Sequence, residues 1–291
     1  MTERTNRETL SAALTDRPDD AHKGSCGTLL SVCGSYGMAG AALMAGKAAL
    51  RCGIGLLKCA LPNSVYPIAA GQLWESVYLP LSQTESGAIS AENLPLLLRE
   101  AQSASALLVG CGLSLCGDTR SLTRGLIGGA ACPLVLDADA LNCIADDPDV
   151  LKTARFPVVI TPHPGEMGRL TGKTASQVNA AREQTALDFA QKYGVVTVLK
   201  GAGTVTAAPD GRVLVNPTGN SGMATGGSGD VLAGMLASLL AQNPLPFETA
   251  AAAVYLHGKA GDLAAEAFGK RSLLPTDIIS FIPKAFETEA R

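Results

Sequence analysis

The stretch Asn216-Pro-Thr-Gly-Asn-Ser-Gly-Met-Ala-Thr-Gly-Gly-Ser-Gly-Asp230 runs directly into the Ala- and Leu-rich helical pattern Val231-Leu-Ala-Gly-Met-Leu-Ala-Ser-Leu-Leu240. A glycine-rich turn at the start of a helix offers backbone N–H groups and the positive end of the helix dipole to an anion. Asp230 does not suit a simple anion site, because its carboxylate would repel a phosphate. It has a use if it takes a proton from a hydroxyl that attacks the phosphate. The stretch therefore predicts phosphoryl transfer.

The composition restricts the kinds of partner. A net charge of −3 on 291 residues, with no basic stripe, disfavours nucleic acid and anionic membranes as partners. The first residues are charged and lack the apolar core of a signal peptide. The longest apolar runs, such as residues 231–241, are too short to span a bilayer. We therefore expect a soluble cytoplasmic protein.

The cysteines do not form a recognisable redox or metal motif. No C-x-x-C pair occurs, and the chain has only three histidines to complete a metal site. We expect reduced thiols that pack as small apolar side chains. The eight positions are Cys26, Cys33, Cys52, Cys59, Cys111, Cys116, Cys132 and Cys143.

Apolar runs and helical patterns alternate along most of the chain. Short runs of Val, Ile and Leu bounded by Gly, Pro or Asp predict buried parallel strands at residues 28–33, 56–60, 106–109, 134–136, 157–160 and 195–199. Helical patterns lie at 40–51, 64–71, 119–127, 139–145, 166–171, 176–193, 229–242 and 248–268. A hairpin is predicted from 204–208 to 212–216. The alternation predicts one doubly wound α/β domain over 22–291, with a mostly parallel sheet and helices on both faces, after a polar lead-in at 1–21.

Glycine-rich or polar motifs follow almost every predicted strand. In a parallel sheet these strand ends meet at one edge, where ligands bind. The motifs are Gly34-Ser-Tyr-Gly-Met-Ala-Gly-Ala-Ala42, Val109-Gly-Cys-Gly-Leu113, Leu136-Asp-Ala-Asp-Ala-Leu-Asn142, Thr161-Pro-His-Pro-Gly-Glu166 and Leu199-Lys-Gly-Ala-Gly-Thr204; Lys23-Gly-Ser-Cys-Gly27 precedes the first of these strands. Each is weak singly, but the series is hard to explain by loop chemistry alone.

Taken in order over about residues 22–285, these motifs resemble the NAD(P)H-hydrate dehydratases, a branch of the ribokinase-like superfamily. The resemblance rests on Lys23–Gly27, Gly40-Ala-Ala42, Asp137–Asn142, Thr161–Glu166, Leu199–Thr204, Asn216–Asn220 and Gly226-Gly-Ser-Gly-Asp230. It implies a ribokinase-like fold without the epimerase domain of larger relatives. It also implies repair of the S epimer of hydrated NADH or NADPH, with ADP or ATP as phosphoryl donor, Mg²⁺, a homotetramer and a separate epimerase as partner.

The resemblance also implies roles for individual residues. Asp230 would be the base for the C6 hydroxyl of the hydrate, and Gly227, Ser228 and Gly229 would form an anion hole. Apart from the resemblance, we expect a positive φ at Gly229, because its backbone has to approach the phosphate closely. The nucleotide would contact Lys200, Gly201, Ala202, Gly203, Thr204 and Gly229. The hydrate would contact Ala41, Gly112, His163 and Asp230. Glu166 would hold Mg²⁺ through water, and Asp137, Asp139 and Asn142 would lie in the cleft without an assigned role.

Structural explanations compete with several of these roles. Asp230 could cap its helix, Lys200 could be a solvated loop residue, and His163 could be a structural histidine between prolines. A Glu at the position of Glu166 suits any helix N-terminus, and Ala41 suits plain helix packing. His257 lies within a helical pattern and is expected to be a packing residue.

Two other functions compete with hydrate repair. One is a ribokinase-like kinase for a vitamin precursor such as a hydroxymethylpyrimidine, thiazole or pyridoxal alcohol, which shares the Gly-x-Gly-Asp motif. The motif around His163 and the stretch Asp137–Asn142 argue against it. The other is a catalytically silent nucleotide sensor, which gains nothing from an acid such as Asp230 beside a phosphate.

Overall fold

The computed structural model describes residues 3–14 and 17–289. Within these ranges ten strands form one sheet. The strands are β1 (Glu3–Arg4), β2 (Thr28–Val32), β3 (Leu56–Pro62), β4 (Val77–Leu81), β5 (Ala106–Val109), β6 (Leu134–Leu136), β7 (Val158–Ile160), β8 (Val196–Leu199), β9 (Val205–Ala207) and β10 (Val213–Val215). Their order across the sheet is β1-β10-β9-β8-β7-β6-β5-β2-β3-β4.

Twelve α-helices occupy the same described ranges. They are α1 (Arg7–Ala13), α2 (Ala39–Arg51), α3 (Tyr66–Ala70), α4 (Leu94–Ala101), α5 (Gly117–Gly129), α6 (Asp139–Cys143), α7 (Pro164–Thr171), α8 (Ala175–Ala180), α9 (Arg182–Tyr193), α10 (Ser228–Gln242), α11 (Pro246–Phe268) and α12 (Pro275–Glu289). Short 3₁₀ turns occur at Ala91–Asn93, Pro148–Thr153 and Ser221–Met223.

The sheet is buried on both faces, which explains the unbroken apolar runs in its strands. Every pair from β4 through β3, β2, β5, β6 and β7 to β8 is parallel. One apolar core packs α2, α10, α11 and α12 against one face, and a second packs α4, α5 and α9 against the other. The predicted doubly wound, mostly parallel α/β fold is confirmed.

The predicted hairpin is present, and its two strands break the parallel pattern. β9 is antiparallel to both β8 and β10. Gly211 lies in the turn between them with a φ of 101°, a conformation that glycine adopts without strain.

Several elements were not predicted. β4 contains Pro80, which removes a hydrogen-bond donor and weakens the strand signal; it is tolerated because β4 lies at the edge of the sheet. α4 and α12 were also missed, and α12 carries Pro283 in its interior. The single helix predicted over 176–193 is wrong: it divides into α8 and α9 at Ala181, whose φ of −143° and ψ of 53° are not helical. Because the sequence has a helical period on both sides of Ala181, the pattern does not reveal the single non-helical residue between the two helices.

The segment 3–13 is joined to the rest of the fold. β1 pairs in parallel with β10, and Leu10 and Ala13 of α1 are buried against Ala252 of α11. The predicted division into a lead-in at 1–21 and a domain at 22–291 stays a prediction. Among the described residues, no helix combines the length and apolar character that crossing a membrane requires.

Candidate active site

The carboxyl ends of β2, β5, β6, β7 and β8 meet the N-terminus of α10 at one edge of the sheet. Lys200 follows β8, Asp137 follows β6, and the Nζ of Lys200 lies 2.5 Å from Oδ1 of Asp137. The same ammonium lies 3.5 Å from the position that a Cβ on Gly229 of α10 would take. The cleft therefore brings together strand-end residues that are far apart in the sequence.

A buried lysine lies between two carboxylates at this edge. Besides Asp137, which is 2% exposed, Lys200 approaches Oε2 of Glu166 at 3.8 Å. The hydroxyl of Thr161 donates a hydrogen bond of 2.6 Å to Oδ1 of Asp137. Lys200 is thus not a solvated loop lysine, and Asp137, which had no role assigned from the sequence, is the centre of the network.

The charges in this network alter each other's pKa. Burial lowers the pKa of Lys200, but attraction to Asp137 and Glu166 outweighs burial and raises its pKa above the ordinary value. Burial raises the pKa of Glu166 although Lys200 opposes that shift. The lysine therefore stays charged, and the acids around it are crowded by negative charge.

Asp230 is the acid closest to the turn before α10. Burial, followed by repulsion from Asp137, raises the pKa of Asp230 from 3.8 to about 6, against a lowering contact with Cys111. A carboxylate oxygen of Asp230, one of Asp137 and the Sγ of Cys111 all lie within 4.8 Å of one another. A carboxylate with a pKa near neutrality is suited to accept a proton in a reaction.

The turn before α10 leaves the helix N-terminus without a side-chain cap. Gly227 is the N-cap residue, with a φ of 99°. The positive φ expected at Gly229 is wrong, because the left-handed residue of this turn is Gly227 and Gly229 lies inside the helix. The change in chain direction that requires a left-handed residue therefore occurs in the turn, at Gly227, and not within α10.

Ser228 and His257 meet behind this turn. The Oγ of Ser228 lies 3.4 Å from Nε2 of His257, and both residues are buried. Burial lowers the pKa of His257 to about 4, so the imidazole is neutral at pH 7. His257 belongs to α11 and packs beneath the turn, as expected for a packing residue.

The loop from Lys200 to Thr204 is shaped by its glycines. Gly201 and Gly203 have φ values of 146° and 64°. The hydroxyl of Thr204 donates to the carbonyl oxygen of Gly201, and the guanidinium of Arg182 packs against Gly201 and donates to the carbonyl of Leu199. The loop is held in one shape with its backbone available to a ligand.

His163 is the N-cap of α7. Its Nδ1 accepts hydrogen bonds from the backbone N–H groups of Gly165 and Glu166 at 2.9 and 3.2 Å, and Oε2 of Glu166 accepts from the backbone N–H of His163. The Nε2 lies 3.4 Å from Oε1 of Glu166, and half of the side chain is exposed. The structural explanation for His163 is therefore present, and the ring is also accessible to a ligand.

Ala41 and Gly112 lie against each other. A Cβ on Gly112 would come within 2.8 Å of the Cβ of Ala41 and 2.9 Å of that of Met38, and Gly112 has a φ of 63°. Close contact between the start of α2 and the loop after β5 thus requires small residues at both positions. The predicted contact of this pair with the hydrate stays a prediction.

Asp139 and Asn142 brace the loops around the cleft. Oδ2 of Asp139 accepts a hydrogen bond from the backbone of Ser114, and Asn142 donates to Oδ1 of Asp139. Arg169 in turn donates to the amide oxygen of Asn142. These contacts hold the β5, β6 and β7 loops together.

The motif Lys23–Gly27 has a packing explanation. It precedes β2 and so lies at the opposite edge of the sheet from the cleft. A Cβ on Gly55 would overlap the carbonyl oxygen of Lys23, and one on Gly27, at a φ of 77°, would overlap that of Ala241. The motif permits close packing at the C-terminus of α10.

The family follows from the order of these motifs and from direct comparison. The sequence model of the NAD(P)H-hydrate dehydratase family matches residues 29–284. The chain belongs to this family. A bifunctional NAD(P)H-hydrate repair enzyme of Moorella thermoacetica is 44% identical over 97% of the chain, which spans only 54% of that relative. The chain therefore covers about half the length of the bifunctional family members it matches.

Shorter family members match over most of their length. The ADP-dependent (S)-NAD(P)H-hydrate dehydratase of Bacillus subtilis is 33% identical over 96% of both chains. A B. subtilis ADP/ATP-dependent dehydratase co-crystallised with ATP and Mg²⁺ superposes with a TM-score of 0.84, at 32% identity and 99% coverage of both chains. A hydroxyethylthiazole kinase from Pyrococcus horikoshii, at 15% identity and a TM-score of 0.60, shares the fold alone.

Proposed function

We propose that the protein dehydrates the S epimer of NADH hydrate and NADPH hydrate back to NADH and NADPH, using ADP or ATP as phosphoryl donor. The observation that carries the proposal is the position of Asp230, an acid with a pKa raised to about 6 in the first turn of α10, whose N-terminus has no side-chain cap. The ammonium of Lys200 lies next to the preceding residue, Gly229. Family membership supports the same reaction. The shorter relatives are named as ADP-dependent, which makes ADP our first choice of donor.

The chemistry divides a difficult elimination into two steps. The C6 hydroxyl of the hydrate loses its proton to Asp230 and attacks the terminal phosphorus of the nucleotide. The bond between that phosphorus and the bridging oxygen breaks, so AMP leaves when ADP is the donor and ADP leaves when ATP is the donor. The C6–O bond then breaks, phosphate leaves with the bonding pair, the C5 proton is lost to solvent water, and the C5=C6 double bond forms again. Hydroxide is a poor leaving group and phosphate a good one, and the lone pair of the ring nitrogen assists the departure.

The groups around Asp230 fit positioning and electrostatic stabilisation, which dominate phosphoryl transfer. Backbone N–H groups of Gly227, Ser228 and Gly229 would bind the transferred phosphoryl group. The Lys200 ammonium lies next to Gly229 and would add positive charge there. The backbone of Lys200 and residues 201–204 would contact the nucleotide.

The hydrate would occupy the side of the cleft nearer β2, β5 and β7. The accessible ring of His163 and the small residues Ala41 and Gly112 would border it. The close contact between Ala41 and Gly112 would let the dinucleotide approach the backbone closely.

The acids of the cleft also fit a magnesium site. Mg²⁺ prefers oxygen ligands and keeps several waters, and the carboxylates of Glu166 and Asp137 are already hydrogen-bonded, so they would hold the ion through water. The ion would neutralise charge on the nucleotide phosphates. A cytoplasmic location, a homotetramer and cooperation with a separate epimerase also belong to this proposal; the eight free thiols suit a reducing compartment.

The experiment incubates the purified chain with ADP, Mg²⁺ and the epimeric mixture of NADH hydrate while the absorbance of reduced nicotinamide is followed. We expect about as much NADH to be recovered as there is S epimer in the mixture, with release of AMP and phosphate. Asp230→Asn is the control for contaminating activity. Phosphorylation of a thiazole, pyrimidine or pyridoxal alcohol without hydrate repair would favour the vitamin-precursor kinase, and nucleotide binding without turnover would favour the sensor.

A further inference from the structure

Two thiols lie under Asp230 at the edge of the sheet. Cys33 follows β2 and Cys111 follows β5, and these strands are neighbours paired through Val32 and Val109. The backbone N–H of Gly34 donates to the carbonyl of Cys111 at 2.8 Å, which holds the two cysteines side by side. Both side chains are completely buried. Of the two, Cys111 is the one whose Sγ lies close to the acids of the cleft.

Two carboxylates complete the cluster. The Sγ of Cys111 lies 3.8 Å from Oδ2 of Asp137, and these atoms lie within 4.8 Å of an oxygen of Asp230. Oδ1 of Asp137 is bound by Lys200 and Thr161, so Oδ2 is the oxygen that faces the thiol. One sulfur atom and two carboxylate oxygen atoms thus lie within 4.8 Å of one another.

We propose that Cys111, Asp137 and Asp230 form a binding site for a single thiophilic divalent cation of the Zn²⁺ or Cd²⁺ class. Three protein ligands of sulfur and oxygen, with water in the fourth position, match the tetrahedral preference of such ions, and in a formed site neighbouring ligand atoms are about 3.3–3.8 Å apart. The cluster needs a contraction of only about 1 Å to reach that separation. Mg²⁺ would not compete, because it requires oxygen ligands in octahedral geometry.

The charge around the cluster favours a cation. The carboxylates of Asp137, Asp139, Glu166 and Asp230 face it, and Lys200 is the cation that contacts it directly. Repulsion from Asp137 and Asp139 contributes to the raised pKa of Asp230. A bound divalent ion would relieve this excess of buried negative charge.

The consequence for catalysis rests on the proposed function. An ion that binds the carboxylate of Asp230 removes the base for the C6 hydroxyl. Zn²⁺ should therefore inhibit hydrate repair at concentrations at which excess Mg²⁺ does not, and the inhibition should be reversed by a chelator.

The test titrates the reduced, metal-free full chain with Cd²⁺ in the absence of nucleotide and hydrate. We expect a thiolate-to-cadmium charge-transfer band that saturates with a single ion per chain by equilibrium dialysis. Cys111→Ser should reduce the affinity by more than the roughly 10–100-fold that loss of an outer-shell partner costs. Cys132→Ser is the matched control, because Cys132 is also buried but precedes β6 at the opposite edge of the sheet.

Asp230→Asn tests the site without altering a thiol, and should lower the Cd²⁺ affinity while keeping some of the band. An unchanged affinity in Cys111→Ser and Asp230→Asn, or a band that disappears in Cys132→Ser, would overturn the inference. Hydrate repair without Cd²⁺ binding refutes the metal site alone. Cd²⁺ binding without repair refutes the proposed function alone.

Discussion

At the scale of single residues, Asp230 is the decisive side chain. Asp230→Asn keeps the shape of the side chain and removes its capacity to accept a proton. We expect turnover to fall by about 10²–10⁴-fold, the usual contribution of a positioned base, while nucleotide binding persists. Steady-state repair rates and calorimetric titration with ADP measure the two quantities. Full turnover in the variant would exclude Asp230 as the base.

Lys200 and Asp137 form a buried ion pair, and removing one partner should destabilise the protein more than removing both charges. Lys200→Met leaves Asp137 as an uncompensated buried charge and should lower the free energy of unfolding by about 3–5 kcal/mol. The double variant Lys200→Met/Asp137→Asn should recover much of that stability but not the nucleotide affinity. Denaturant titration and ADP calorimetry compare them. Equal stability of the single and double variants would mean that the pair is not coupled.

His163 has a structural contact and a proposed substrate contact, and two substitutions separate them. His163→Ala loses the N-cap of α7, which costs about 1 kcal/mol, and should weaken the interaction with the hydrate. His163→Asn restores a capping acceptor without the ring, so it should be stable but still repair slowly, with ADP affinity nearly unchanged. Loss of ADP affinity with normal hydrate affinity would mean that the two ligands are exchanged in the proposed cleft.

At the scale of elements, the turn before α10 contains two adjacent glycines with different requirements. Gly227 has a φ of 99°, and a Cβ there would meet the end of the Met44 side chain, whereas a Cβ on Gly226 would meet nothing within 4 Å. Gly227→Ala should cost about 1–2 kcal/mol of stability and weaken nucleotide binding, because the anion-binding backbone shifts. Gly226→Ala is the matched control and should retain both, as thermal melts and ADP titrations would show. Equal effects would indicate that the turn does not depend on its left-handed residue.

At the scale of the whole molecule, Asp230 makes stability depend on pH. Its folded-state pKa of about 6 exceeds the ordinary value of 3.8, so the folded protein holds this proton more tightly than the unfolded chain does. The free energy of unfolding therefore decreases as the pH rises from about 4 to about 6. Asp230→Asn has no carboxyl group to titrate, so above pH 6 its free energy of unfolding should exceed that of the parent by at most about 3 kcal/mol. Below pH 4 the variant should have no such advantage.

Denaturant titrations of both proteins across this pH range measure the difference. Asp188→Asn on the exposed face of α9 controls for the general loss of one negative charge. A constant difference between the Asp230 variant and its parent from pH 4 to pH 7 would contradict the assignment of the raised pKa.

The sequence alone determined the features that depend on local pattern. Apolar runs bounded by Gly, Pro or Asp predicted β2, β3, β5, β6, β7 and β8 to within a few residues, because strands buried on both faces exclude polar side chains. The glycine-rich turn and Asp230 were recognisable because the helix start is a contiguous signal. The order of the motifs was enough to identify the family.

Only the tertiary structure decided which side chains meet. Lys200 and Asp137 are 63 residues apart, and Cys33 meets Cys111 because β2 and β5 are neighbours in the sheet. Strand order follows from the path of the crossover helices and from the packing of both faces, which no local pattern specifies. For the same reason the sequence could not distinguish a solvated lysine from a buried one, nor show that Gly227, and not Gly229, takes the left-handed conformation required by the packing of the turn.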